Sequence, residues 1–238
     1  MKIALLGYGK MGREIEKTAL ERNHEVILVI DVDNQHELNG NNLKRADVAI
    51  DFSTPSAAFS NILACFSAGI PVVCGTTGWL DRIEEVKELC REQNRTFFYA
   101  TNFSLGANIL FALNRHLAGI MDNIPDYDVE MKEIHHIHKV DAPSGTAITL
   151  ANDLLGILHR KQKWELDRAS DDSIIKITAV REGEVPGTHS ITWDSAVDRI
   201  QISHEAKSRK GLALGAVLAA EFIQDKKGVY SMEDLIRI

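Results

Sequence analysis

The densest chemistry in the chain lies between Glu133 and Thr146, in the run EIHHIHKVDAPSGT. Its histidines, His135, His136 and His138, can exchange a proton near neutral pH. Lys139 offers a compact positive charge to a carboxylate. Ser144-Gly145-Thr146 opens a helical pattern, so its backbone N–H groups can hold a second carboxylate. Charge-assisted hydrogen bonds of this kind are worth roughly 1.5–3 kcal/mol each. Two anion grips beside an imidazole suit a small dicarboxylic acid. Two other readings compete with this one. His136 and His138 would share one face of a strand and could bind a metal, though no third ligand with recognisable spacing accompanies them. The run could also be a solvated polar strand end.

A second constellation sits near the start. Gly7-Tyr8-Gly9-Lys10-Met11-Gly12 fits G-x-G-x-x-G, after an apolar strand run and at the head of a helical pattern. The first glycine permits a tight turn, the second lets backbone approach a pyrophosphate, and the third lets helix and strand pack closely. Asp31 ends the second strand about twenty residues further on, where a carboxylate binds an adenine-ribose hydroxyl pair. That carboxylate repels the extra phosphate of NADP, and Val32-Asp33 supply no arginine. Lys10 partly offsets it. The expectation is NADH in preference to NADPH. Asp51-Phe52-Ser53-Thr54-Pro55 and Cys74-Gly75-Thr76-Thr77-Gly78 also follow strand runs. They read equally as ligand loops at the carboxyl ends of a parallel sheet or as plain turns.

The elements that must position these groups divide into two patterns. Over the first hundred residues strands (Ile3–Leu6, Glu25–Ile30, Val48–Phe52, Pro71–Cys74, Thr96–Ala100) alternate with helices (Met11–Arg22, Ala57–Ala68, Leu80–Glu92), which implies βαβ units and a parallel sheet. Beyond Asn102 come a helix (Ile109–Met121), a long alternating strand (Tyr127–His136), a helix (Thr146–Leu158) and three strands (Ile174–Val180, His189–Trp193, Arg199–Ser203). Gly211–Gln224 is apolar on most sides and is expected to be buried. The predicted fold is an α/β N-terminal Rossmann-like dinucleotide-binding domain plus an α+β C-terminal domain, for substrate and oligomerisation, with a mixed sheet. The expected boundaries are 1–104 with 209–238, and 105–208.

Composition bounds the rest. The 238 residues are 45% hydrophobic and 26% charged, which is ordinary for a globular protein and excludes a disordered or collagen-like chain. The net charge of −7 argues against nucleic-acid binding by bulk charge. No apolar run approaches the roughly 18 residues of a membrane span. The opening Lys2–Leu6 run carries no basic leader or cleavage site, so a cytoplasmic location is expected. Cys65, Cys74 and Cys90 are odd in number and lack C-x-x-C spacing, as for buried reduced thiols.

The run HHxHKxDAPSGTA, with Asp51–Pro55, Gly75–Gly78, Thr101–Ser104, Gly187–His189 and ISHEAKSRKGLALGAV over 202–217, resembles the 4-hydroxy-tetrahydrodipicolinate reductase family, long called dihydrodipicolinate reductases. The resemblance covers essentially the whole chain in order. It implies NADH- or NADPH-dependent reduction of 4-hydroxy-tetrahydrodipicolinate to tetrahydrodipicolinate, with loss of water, in the diaminopimelate route to lysine. By motif position, it implies His135 as proton donor and Lys139 as a catalytic donor that also anchors the substrate. His136, Gly145 and Thr146 would bind substrate carboxylates. Gly7, Lys10, Met11 and Gly12 would hold the pyrophosphate. Gly75, Thr76 and Thr77, with Ala100, Thr101, Asn102 and Phe103, would line the nicotinamide side. The family's usual form is a homotetramer built through the sheet of the second domain, the chain returning to the first domain near Arg209; separately, hinge closure near residues 104 and 209 is expected. The glycine loop is one residue shorter than the commoner family form. Another nicotinamide-dependent dehydrogenase of an amino-acid-like substrate, or an NADH-binding sensor without turnover, would lack the cluster at 135–146.

Overall fold

The computed structural model describes residues 1–208 and 210–237. Its chain divides into two compact units, Met1–Leu105 with residues 210–237, and Gly106–Ser208. The expected return point, Arg209, lies outside the described residues.

The first unit is built on a parallel sheet. Strands β1 (Lys2–Leu6), β2 (Glu25–Ile30), β3 (Val48–Asp51), β4 (Val72–Cys74) and β5 (Thr96–Tyr99) match the five apolar runs of the sequence. A sixth, β11 (Gly228–Tyr230), pairs with β5. The order is β11-β5-β4-β3-β1-β2, every neighbouring pair being parallel. The strand order therefore reverses beside β1, with β2 on one side and β3 on the other. Crevices at the carboxyl ends of strands at such a reversal are where ligands bind in open α/β sheets.

Strand alternation explains the two cores of this unit. Ala4, Leu6, Ala49, Val72 and Phe97 face one way, against Ile62 and Phe66 of α3 (Pro55–Ala68) and Val86 of α4 (Ile83–Glu92). Ile3, Leu5, Ile50, Val73 and Phe98 face the other way, against Ile15 and Ala19 of α1 (Lys10–Glu21) and Ala213, Ala216 and Val217 of α7 (Lys210–Ile223). Helix α7 is the apolar helix that the sequence predicts to be buried. A Cβ at Gly215 would lie 1.7 Å from the Phe103 carbonyl oxygen, so only glycine permits this approach. Two short helices, α2 (Gly40–Leu43) and α8 (Met232–Ile236), complete the unit. Both are too brief to carry a periodic signal.

The second unit has a five-stranded mixed sheet in the order β10-β9-β6-β8-β7. Its strands are β6 (Asp128–His135), β7 (Lys163–Leu166), β8 (Ile174–Arg181), β9 (Thr188–Asp194) and β10 (Arg199–Glu205). β6 runs parallel to β8 and antiparallel to β9. Helices α5 (Leu105–Met121) and α6 (Gly145–Leu155) supply Leu110, Phe111, Leu150 and Leu154 to a core shared with Val129, Met131, Ile177, Ile191 and Trp193 of the sheet. β7 is absent from the sequence reading because KWEL has too few apolar positions to show alternation.

Candidate active site

The site in the second unit follows from the pleat of β6. Val129, Met131, Glu133 and His135 alternate onto its buried side. Two polar groups thus continue an apolar stripe at the carboxyl end of the strand. Register supplies their partners: Glu133 stands opposite His189 on β9, and His135 stands beside Arg181 on β8.

Glu133 is the hub. Both of its oxygens accept the Ser144 backbone N–H, at 3.1 Å each, and Oε1 accepts from Arg181 Nη2 at 3.1 Å. His189 Nε2 lies 3.7 Å from Oε2 and 3.1 Å from Ser144 Oγ. Burial alone would raise the Glu133 pKa, but the donors His189, Ser144 and Arg181 outweigh it and hold the carboxyl at about 2. His135 Nδ1 sits 3.6 Å from Glu133 Oε2 and has no hydrogen-bond partner in the structure. The two imidazoles meet edge to face with centroids 5.1 Å apart. Burial lowers the His135 pKa to about 4, Glu133 opposing and His189, Lys139 and Arg181 reinforcing the shift.

The anion grips flank this hub. Ser144 caps α6, its Oγ accepting from Ala147 N at 3.2 Å. Gly145 is exposed and Thr146 half-buried at the start of the same helix. Lys139 Nζ is held by Asp141 at 2.7 and 2.9 Å. The Ser144 side chain and N–H are thus committed within the protein, so a ligand at this helix end meets Gly145 and Thr146 first.

The shared strand face expected of His136 and His138 is corrected, because β6 ends at His135. The next two residues turn away, with His136 N donating to Val185 O and Ile137 N to Gly183 O. His136 is half-buried, and exposed His138 pairs with Glu184 at 3.2 Å. Among the described residues, the possible ligand atoms that lie within 4.8 Å of one another are instead those of Glu133, His135 and His189. They fit a metal poorly, since Glu133 already accepts N–H bonds and a cation there would face the Arg181 guanidinium.

In the first unit the glycine turn fits a diphosphate. Gly7 has a φ of +92°, and a Cβ there would lie 2.3 Å from the Phe52 carbonyl oxygen. A Cβ on Gly12 would lie 2.3 Å from the Gly7 carbonyl oxygen, the close helix–strand packing expected of the third glycine. At Gly9 it would meet nothing within 4 Å. No side chain caps α1 and its first turn holds no acid, so its N–H groups are left to an anion. Tyr8 donates to Glu16, and Lys10 is exposed at the head of the helix. Asp31 follows β2 and caps a short 3-10 turn, accepting from Val32 N at 2.9 Å.

The residues expected at the nicotinamide side divide by exposure. Thr77 and Thr101 are exposed, and Gly75, Ala100 and Asn102 are half-buried. The Thr76 side chain is buried and donates to Asp51, while Phe103 lies in the core against Phe52 and Phe98. Contact of Thr76 or Phe103 with a ligand is therefore a backbone matter.

Residues 1–103 match the family model described as dihydrodipicolinate reductase, N-terminus, and residues 106–236 the one described as dihydrodipicolinate reductase, C-terminus. The chain belongs to the dihydrodipicolinate reductase family. It is 51% identical to the 4-hydroxy-tetrahydrodipicolinate reductase of Christiangramia forsetii, over 99% of this chain and 98% of that protein. It is 40% identical to the enzyme of that name from Methanopyrus kandleri, over 81% and 72% of the two chains. The fold is shared with a dipicolinate-bound dihydrodipicolinate reductase from Paenisporosarcina sp. TG-14, at a TM-score of 0.83 and 23% identity, covering 99% of each chain.

For a dihydrodipicolinate reductase, Arg181 and His189 are the side chains that reading along the chain passes over as site residues. His189 lies in a stretch that carries the resemblance, but neither residue is near His135 in sequence. Only the register of β8 and β9 on β6 brings them to it.

Proposed function

We propose that this dihydrodipicolinate reductase reduces 4-hydroxy-tetrahydrodipicolinate to tetrahydrodipicolinate, with loss of water, using a reduced nicotinamide dinucleotide, in the diaminopimelate route to lysine. One observation carries the assignment of roles: a buried imidazole, His135, beside the Glu133 carboxylate and next to the capped start of α6. That is a proton donor with an anion grip at hand.

Bound nicotinamide supplies the hydride. The chain's own groups do the rest. Lys139 leaves Asp141 to grip one substrate carboxylate, and the N–H groups of Gly145 and Thr146, with His136, hold the other. The substrate hydroxyl leaves with a neighbouring ring proton as water, hydride addition to the conjugated imine so formed gives an enamine, and His135 protonates that enamine at carbon. In the free protein burial keeps its pKa at about 4, with the cations Lys139 and Arg181 helping to hold it down. Two arriving carboxylates add negative charge beside the imidazole and favour the imidazolium. The donor is thus charged by the binding of the dianion that it serves.

Gly7, Gly9, Lys10, Met11 and Gly12 hold the pyrophosphate, with Tyr8 beside them, and Asp31 holds the adenine ribose. Gly75, Thr76, Thr77 and residues 100–103 line the nicotinamide end. NADH is preferred because Asp31 repels a 2′-phosphate. The same reading makes the protein a cytoplasmic homotetramer. No described helix is long and apolar enough to cross a membrane.

The test is a coupled assay. A dihydrodipicolinate synthase supplies the substrate, and the near-ultraviolet absorbance of the reduced cofactor is followed. Synthase-dependent loss of absorbance is expected, and none at any protein concentration overturns the reading.

A further inference from the structure

Asp51 ends β3, beside the reversal of strand order in the parallel sheet. Its side chain is fully buried, and every hydrogen bond to it comes from a donor. Ser53 N donates to Oδ1 at 2.9 Å, Ser53 Oγ at 2.6 Å and Thr76 Oγ1 at 2.9 Å. Asn61 Nδ2, from α3, donates to Oδ2 at 3.2 Å. Thr76 Oγ1 also accepts the Ser53 backbone N–H at 2.9 Å. One carboxylate therefore ties the turn after β3 to the turn after β4.

The tie extends to the glycine turn. A Cβ on Gly7 would lie 2.7 Å from Ser53 Cα, and one on Gly75 would lie 2.2 Å from the Phe52 ring. Phe52–Ser53 is thus wedged between the two glycine turns, and Asp51 fixes where the wedge stands. Burying a carboxylate costs several kcal/mol unless donors satisfy it. An apolar residue would fill the same space without that cost. Neither the pyrophosphate grip nor the substrate grip uses this group.

We propose that Asp51 is a positioning residue for the dinucleotide site, setting the spacing of the Gly7, Phe52–Ser53 and Gly75–Thr76 turns without itself touching the ligand. The proposal rests on the cofactor reading above and adds to it a residue outside the ligand's reach.

The experiment measures the dissociation constant of NADH by protein-to-nicotinamide energy transfer, alongside the KM of the dicarboxylate, for wild type, D51N and N61A. Asn61→Ala removes the donor that α3 supplies to Asp51, and Asn61 is itself buried. Turns shifted out of place forfeit backbone bonds to the diphosphate, and each charge-assisted bond so lost corresponds to about tenfold or more in affinity. The expected result is that D51N binds NADH at least about tenfold more weakly, N61A binds it more weakly than wild type by a smaller factor, and the dicarboxylate KM stays within about twofold throughout. Should D51N fail to fold, N61A decides. Folded variants that bind NADH as wild type does, or a dicarboxylate KM that rises by the same factor, overturn the role of Asp51 alone. A wild-type protein that binds neither NADH nor NADPH overturns the cofactor reading and this inference with it.

Discussion

His135 and Glu133 stand two residues apart on the same side of β6, with Nδ1 of the imidazole 3.6 Å from Oε2 of the carboxylate. A strand that alternates Val, Met, Glu and His onto its buried side places a proton-exchanging pair where core would otherwise continue. Glu133 accepts from Ser144 at the head of α6 and from Arg181 on β8, so it holds both the imidazole's environment and the anion grip.

Removing the charge of Glu133 tests that hub. Glu133→Gln leaves the Arg181 guanidinium without its counter-charge, and breaking a buried pair in this way costs on the order of 3 kcal/mol. Chemical denaturation at neutral pH checks it. The folded-state pKa of Glu133, about 2, is below its ordinary 4.5, so its contribution is present above pH 4.5 and is lost as the pH falls toward 2. The gap between wild type and variant therefore narrows in acid. A gap that is absent at neutral pH, or that widens in acid, contradicts the hub.

His135 has the opposite dependence from the usual paired histidine. Its folded-state pKa, about 4, lies below the ordinary 6.5, so the unfolded chain takes up the proton first. The protein loses stability through this group as the pH falls from 6.5 toward 4. Melting temperatures of wild type and H135Q followed across that range should show the steeper decline in wild type. Parallel curves would mean that His135 is not held neutral.

Lys139 is proposed to exchange Asp141 for a substrate carboxylate. Lys139→Ala should raise the KM for the dicarboxylate roughly 10-fold or more, the worth of one charge-assisted bond, and lower kcat as well. Steady-state kinetics with the cofactor saturating separates the two. A dicarboxylate KM that stays put shows that the anchor lies elsewhere.

Cofactor choice turns on Asp31, which follows β2 with Val32 and Asp33 after it. kcat/KM should be higher with NADH than with NADPH, and Asp31→Asn should narrow the ratio. A value at least equal for NADPH in the wild-type protein contradicts the carboxylate argument.

Much of this architecture was legible in the residues. Five of the six parallel strands stand out as short apolar runs, those of β1, β2 and β4 being closed by Gly7, Asp31 and Gly75. The glycine turn declares itself by following β1 and opening α1. β7 and β11 escaped because KWEL and GVY hold too few apolar residues to mark a run, whereas the equally short β4 is VVC. The site was legible only where it is contiguous. His135 to Thr146 is one segment, whereas Arg181 and His189 reach Glu133 through strand register, which no spacing along the chain reveals. The shared face expected of His136 and His138 failed because strand alternation was carried past His135, where β6 ends. Thr76, Ser53 and Asp51 read equally as turn or ligand residues, and no spacing along the chain shows that the Asp51 carboxylate is buried and holds the other two.

The most direct test is the catalytic constant of H135Q, measured in the coupled assay beside its KM for the dicarboxylate. A positioned proton donor is worth about 10²–10⁴-fold in rate. A fall in kcat of that size is expected, with a smaller change in the dicarboxylate KM. An unaltered kcat would show that the proton comes from another group.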